Sequence, residues 1–257
     1  LKQNETIAPR SLKYITCLEL VQIVLERELR TEMDHDLFNH LGLASCFMDQ
    51  YLDELTYEQQ VNFRSYYTEL YESLWECVSY EQFYESIKNF IANHALFLPS
   101  NALRVSEVYA LIAYCKSLGI KEDLKNFGYE IISCAIAKHK AIKSTEIRSI
   151  LVSEGEAVLQ LLNVLLTNAY GENPTFSNTL NYLKHLEHIL NLGDDTLDVK
   201  QDKIRGKLNK AVSWTHRIYL AKYLFVKIIK TIAQHPMKSA YYFPVLSFYY
   251  FNKTRLR

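Results

Sequence analysis

The sequence predicts an all-α fold, one large helical bundle with well over four helices. Three observations predict it. Only 7 of 257 residues are glycine and 5 are proline, too few for the turns and loops of an all-β or doubly wound chain. Apolar residues recur at helical spacing through almost every segment. The 49% hydrophobic composition fills a large core, and no composition shift, internal repeat or low-complexity tract marks a boundary, so residues 1–257 read as a single domain.

The elements follow in order. Leu18, Val21, Leu25 and Leu29 form the first apolar stripe. Phe38 to Leu55 is a long apolar run whose polar residues gather late. Tyr57 to Val78 places Phe63, Tyr66, Tyr67, Leu70 and Leu74 at helical spacing. Ser79 predicts an N-cap for a helix from Tyr80 to His94, because Gln82 stands three residues on. Pro99 breaks the chain within "LFLPSN". Two helices, Ser106 to Ser117 and Leu124 to His139, flank Gly119 as a C-terminal cap. Ser144 is expected to cap a long helix reaching Asn168, and "YGENP" (Tyr170 to Pro174) is the clearest loop. Thr179 to Lys203 and Asn209 to His235 read as two more helices, the second ended by Pro236. The aromatic tail reads either as a last helix after Pro244 or as a packed irregular segment.

Charge is balanced, 29 basic residues against 29 acidic, so nothing global points to nucleic acid or an anionic membrane. Five scattered cysteines without a CxxC pair predict reduced thiols in a cytoplasmic protein. No signal-peptide pattern is visible. No clean apolar run of about 18 residues occurs; the nearest, Ile218 to Ala233, is interrupted by Lys222, Lys227 and Lys230, and stable membrane insertion is not expected. The chain begins at Leu1, and its ends need not be the native ones.

Two acidic clusters carry the chemistry. In "NLGDDTLDVKQDKIRGKLN", Asp194, Asp198 and Asp202 are spaced four apart and share one helical stripe. Like charges at that spacing repel, which a solvated face tolerates and bound cations relieve. In "CFMDQYLDELTYEQ", Asp49 and Asp53 repeat the spacing, with Glu54 adjacent, at the end of a strongly apolar helix. A carboxylate pair on a core-facing helix needs a partner, and a hard cation such as Mg²⁺ takes oxygen ligands. An acidic run is also often only a solvated face.

Together these motifs resemble the class I isoprenoid (terpenoid) synthase superfamily, with motif spacing nearest to bacterial terpene cyclases. "DQYLDE" resembles its first aspartate-rich motif, through Asp49 and Asp53 or Glu54. "DDTLDVKQD" has the spacing of the second motif, with Asp194, Asp198 and Asp202 at its three ligand positions. "DKIRGKLN" resembles the continuation of that motif through Lys203, Arg205, Gly206 and Asn209. Arg148 stands where bacterial cyclases place an arginine that senses diphosphate, and Ser153 to Gly155 resembles the kink of the family's helix there. The chain departs from the pattern at Gln50, in the all-aspartate second motif, and in lacking the Arg-Arg pair by which elongating prenyltransferases hold a second diphosphate.

The resemblance implies an α-helical bundle around a central active-site cavity. It implies an enzyme that ionises a linear prenyl diphosphate, releases pyrophosphate and cyclises the carbocation. Mg²⁺, three ions with substrate bound, would be held by Asp49, Asp53 and Glu54 on one side and Asp194, Asp198 and Asp202 on the other. Arg148, Lys203 and Arg205 would bind the diphosphate, and Asp49, Asp53 and Arg148 are the catalytic candidates. Homodimerisation is implied at the family level. Two alternatives stay open: a chain-elongating or head-to-head prenyltransferase on the same fold, and a non-catalytic helical scaffold. Phe47, Tyr51, Tyr114 and the 241–251 aromatics are candidate cavity rings. "EMDH" (Glu32 to His35) lacks the second copy a di-iron site needs, and His185 and His188 of "HLEH" read as a helix-surface pair.

Overall fold

The structure, a computed structural model, describes residues 9–94, 96, 103–173, 175, 178–186, 188–189 and 215–244, the side chains of 9–17, 103 and 104 excepted. Among these residues every regular element is an α-helix, as expected. In order they are α1 (Pro9–Leu29), α2 (His35–Glu54), α3 (Tyr57–Glu76), α4 (Tyr80–Asn93), α5 (Leu103–Ser117), α6 (Lys121–Lys140) and α7 (Ser144–Tyr170). Then come α8 (178–186), α9 (Thr215–Gln234) and α10 (236–244).

Short polar side chains start the helices by accepting the first backbone N–H groups. Asp34 caps α2 by accepting from the Asp36 N–H at 3.0 Å. Thr56 and Gln59 form a reciprocal capping box on α3. Ser79 accepts from the Gln82 N–H at 3.3 Å and Gln82 accepts from the Val78 N–H at 3.1 Å, the arrangement the sequence predicts for α4. Gly119 closes α5 at φ +69°, in the left-handed region that favours glycine.

Two starts and stops differ from expectation. Ser144 is the first residue of α7 and not its cap; the Glu146 carboxylate instead accepts from the N–H groups of Ile142 and Lys143, at 3.3 and 3.2 Å. Pro236 does not merely end α9. After a bend at His235 it opens α10, where the missing N–H costs nothing because no intrahelical bond is lost at a first position.

α2 is the central helix. It pairs with α1 as a hairpin, through Gln22 and the His35 ring at 3.0 Å, and with α5, through His40 and Glu107 at 2.6 Å. Residues on every side of it are buried, among them Phe38, Leu41, Cys46 and Leu52. α3 lies against α6, where the Tyr71 hydroxyl donates to the Lys121 carbonyl at 2.7 Å. α6 and α7 form a second hairpin, tied by Lys138 and Glu154 at 2.6 Å. A smaller apolar cluster of Ala141, Ile147, Leu151 and Leu220 joins α7 to α9. The closing contact is long-range: on α10, Tyr242 donates to Glu28 of α1 at 2.9 Å, and Lys238 pairs with the same carboxylate at 2.8 Å.

α7 runs as helix straight through Ser153 to Gly155, the segment that interrupts its apolar pattern. The Ser153 hydroxyl donates to the Ser149 carbonyl one turn back at 3.1 Å, a bond that tends to bend a helix without ending it. By length and composition α7 is the one helix, among the described residues, that could cross a membrane. In this fold it is a core helix, with Ile147, Leu151, Leu159, Leu162, Leu165 and Leu166 buried. Cys46, Cys77, Cys115 and Cys134 are free thiols, and burial pushes Cys115 up to about 12.

Candidate functional site

The acidic end of α2 takes its setting from the helix period. Phe38, Gly42 and Cys46 are buried, and Asp49 and Asp53 continue their stripe, all five within about 80° of arc at 100° per residue. The carboxylates are half-buried, and Glu54, on another side of the helix, is exposed. Asp49 and Asp53 thus extend an inward face at the point where it reaches the surface. Asp53 also lies near the C-terminal end of α6: burial lowers the His139 pKa, and the Asp53 charge opposes that shift. The same imidazole packs edge-on against Tyr57, 6.0 Å between ring centroids.

Arg148, half-buried in the second turn of α7, donates to the Tyr219 hydroxyl at 2.8 Å, and its guanidinium lies 4.6 Å from the Tyr223 ring centroid. Both tyrosines come from one face of α9, one turn apart. A guanidinium has five N–H donors in a rigid fork, so one bond and a ring hold the side chain in place while leaving donor capacity for an anion. The ring and hydrogen-bond contacts of Arg148 are with α9, not with the carboxylates of α2.

Asp194, Asp198, Asp202, Lys203 and Arg205 lie outside the described residues. Among those described, no three His, Cys, Asp or Glu side chains converge on one point. The structure therefore brings Asp49 and Asp53 together, sets Glu54 apart from them, and anchors Arg148 separately.

A cavity of about 110 Å³ opens between α2, α3, α4, α5 and α6. Its wall includes Phe47, Met48, Tyr51, Phe63, Tyr67 and Phe127. Two of the expected rings, Phe47 and Tyr51, line it, and Tyr114 does not. Asp49 and Asp53 lie about 120–160° round α2 from the centre of the cavity-lining arc, and neither they nor Glu54 is in the wall. Within that wall the hydroxyls of Ser45 and Tyr51 have no hydrogen-bond partner, and Tyr51 is only 5% exposed. Burial raises the Tyr51 pKa, so the phenol stays protonated.

Of the histidines, His188 departs from its sequence reading. The His35 ring bonds Gln22, a structural role. His188 is buried and not on a helix surface; burial first, then Lys227, pushes its pKa down to about 4. His216, at the start of α9, is buried with neither ring nitrogen hydrogen-bonded, and burial lowers its pKa. Sequence reasoning missed Tyr219 and Tyr223; their i, i+4 spacing on a basic helix was the only available signal. No family model, curated protein or solved structure matches the chain.

Proposed function

We propose that this chain is a Mg²⁺-dependent class I terpene synthase, which ionises a linear prenyl diphosphate and cyclises the resulting carbocation. The observation that carries the reading is the placement of Asp49 and Asp53. They are half-buried, one helical turn apart, and continue the buried stripe of Phe38, Gly42 and Cys46 at the end of an apolar central helix. A carboxylate pair in that position fits a hard divalent cation, which takes oxygen donors and retains water.

Asp49 and Asp53, with Asp194, Asp198 and Asp202 of the second motif, would hold the metal. Bound Mg²⁺ supplies charge neutralisation on the leaving pyrophosphate. Arg148 would add charge-assisted hydrogen bonds to that group from a guanidinium already positioned by Tyr219 and Tyr223. Lys203 and Arg205 would add to the same binding. Glu54 is exposed and is left as a marginal ligand. The cavity between α2 and α6 lies on another side of α2 from these carboxylates.

The test is incubation with linear prenyl diphosphates of increasing length and Mg²⁺, with and without isopentenyl diphosphate. Hydrocarbon or cyclic alcohol formed without isopentenyl diphosphate is the expected result. A longer diphosphate formed only in its presence identifies a chain-elongating prenyltransferase instead. Asp49→Ala, Asp53→Ala and Asp198→Ala should each slow pyrophosphate release by on the order of 100-fold. Release at the wild-type rate in all three removes the metal assignment.

A further inference from the structure

α9 has two apolar faces. The inner one buries His216, Leu220 and Thr231 against the bundle. The outer one presents Ile218, Phe225, Ile229 and Ile232, which are 60%, 64%, 51% and 43% exposed. Their spacings of seven, four and three residues put all four on one stripe, opposite the buried face. Val226 flanks the stripe and is also exposed, and α10 adds Met237 at 83% exposure. A contiguous exposed apolar face of this kind marks an interaction surface.

Charge identifies what it meets. Lys222 and Lys230 are exposed, Lys222 within the stripe and Lys230 further round, beyond Val226 on the flank between the two faces. They belong to a larger asymmetry: from Lys203 to Arg257 the chain carries twelve Lys and Arg and no Asp or Glu, although its net charge is zero. A nucleic acid would use the lysines but offer nothing to Ile218, Phe225, Ile229 and Ile232. A second copy of α9 would set Lys222 near its own mate in a segment without a carboxylate to answer it, and lysine is depleted from the centres of protein interfaces. An anionic lipid surface satisfies both features. Apolar side chains enter the acyl boundary while lysines extend to the headgroups.

We propose that the outer face of α9 docks the protein peripherally on an anionic lipid bilayer, with Ile218, Phe225, Ile229 and Ile232 in the interface and Lys222 and Lys230 on the headgroup phosphates. The helix lies in the surface plane and does not span it, since its inner face stays packed on α7. The inference is independent of the reaction the chain performs.

Flotation of the full chain with vesicles tests it. Phosphatidylcholine vesicles with about 30 mol% phosphatidylglycerol should retain about tenfold more protein than pure phosphatidylcholine, and high salt should weaken the retention. Phe225→Glu with Ile229→Glu, and separately Lys222→Glu with Lys230→Glu, should each lower retention about tenfold. Both pairs are exposed, so helicity and thermal midpoint should hold, which separates lost docking from lost folding. The proposal is overturned by wild-type protein that does not float, by equal binding to neutral vesicles, or by charge-reversed variants that bind undiminished. A dimer in light scattering that Phe225→Glu dissolves, without flotation of the wild type, assigns the face to a second copy instead.

Discussion

Gly128→Ala puts the packing between α3 and α6 to a quantitative test. Gly128 sits mid-helix in α6, where an alanine would ordinarily gain about 1 kcal/mol of helix stability. Here the added Cβ would overlap the end of the Tyr67 side chain, with the ring carbon Cζ only 2.6 Å away. Real Cβ contacts are never that close, so the buried ring must move. Overpacking of this kind costs about 1–3 kcal/mol. The net change is therefore a loss of about 0–2 kcal/mol, held down if the ring yields into the adjoining cavity, whose wall it already forms. Tyr67→Leu removes the obstacle, and in that background the same alanine should stabilise by about 1 kcal/mol. Urea unfolding followed by circular dichroism measures all four proteins of the cycle. An alanine effect of the same sign and size in both backgrounds would refute the argument that the ring rests on the Gly128 backbone.

Other expectations follow from the same geometry. Tyr51→Phe deletes an unpartnered buried hydroxyl and should leave stability unchanged or raise it by about 1 kcal/mol; a clear loss would show that the hydroxyl is bonded. Thr56→Ala removes the capping box of α3 and should cost about 1 kcal/mol in the same urea assay. Burial lowers His185, His188 and His216 from 6.5, His188 to about 4. Because the unfolded chain takes up these protons first, stability is full above 6.5 and drains as pH falls toward 4. The urea midpoint should fall through that range, less steeply in His188→Leu; a flat midpoint would contradict the burial of these rings.

Local signals in the sequence were sufficient where one side chain decides the backbone. Ser79 with Gln82 marks the start of α4 because both partners of the cap are four residues apart at most. Gly119 marks the end of α5 because only glycine adopts its φ without strain. Ser144 misleads because a good cap residue is not obliged to act as one; the N–H groups of Glu146 and Ile147 that it would cap bond the Lys143 carbonyl instead. Pro236 reads as a stop since proline cannot continue a helix, but the same ring is pre-set to begin one. The pairing of Asp49 with Asp53 was legible from spacing alone. Their side of α2 was not, since that helix buries residues all round and periodicity cannot tell one inward face from another. The setting of Arg148 was equally hidden, because Tyr219 lies 71 residues away along the chain.

The bond from Tyr242 to Glu28 spans 214 positions. Translation delivers α1 well before α10, so Glu28 waits while the helices between them are made, without the partners it has in the finished bundle. The loop that this contact closes holds every helix from α2 to α9, and its entropic cost falls after they are made. Arg27, whose guanidinium rests 3.3 Å from the Tyr241 ring centroid, waits beside it. A nascent chain halted before residue 238 would carry α1 already docked on α2 but without the bonds from Lys238 and Tyr242 that tie Glu28 to α10.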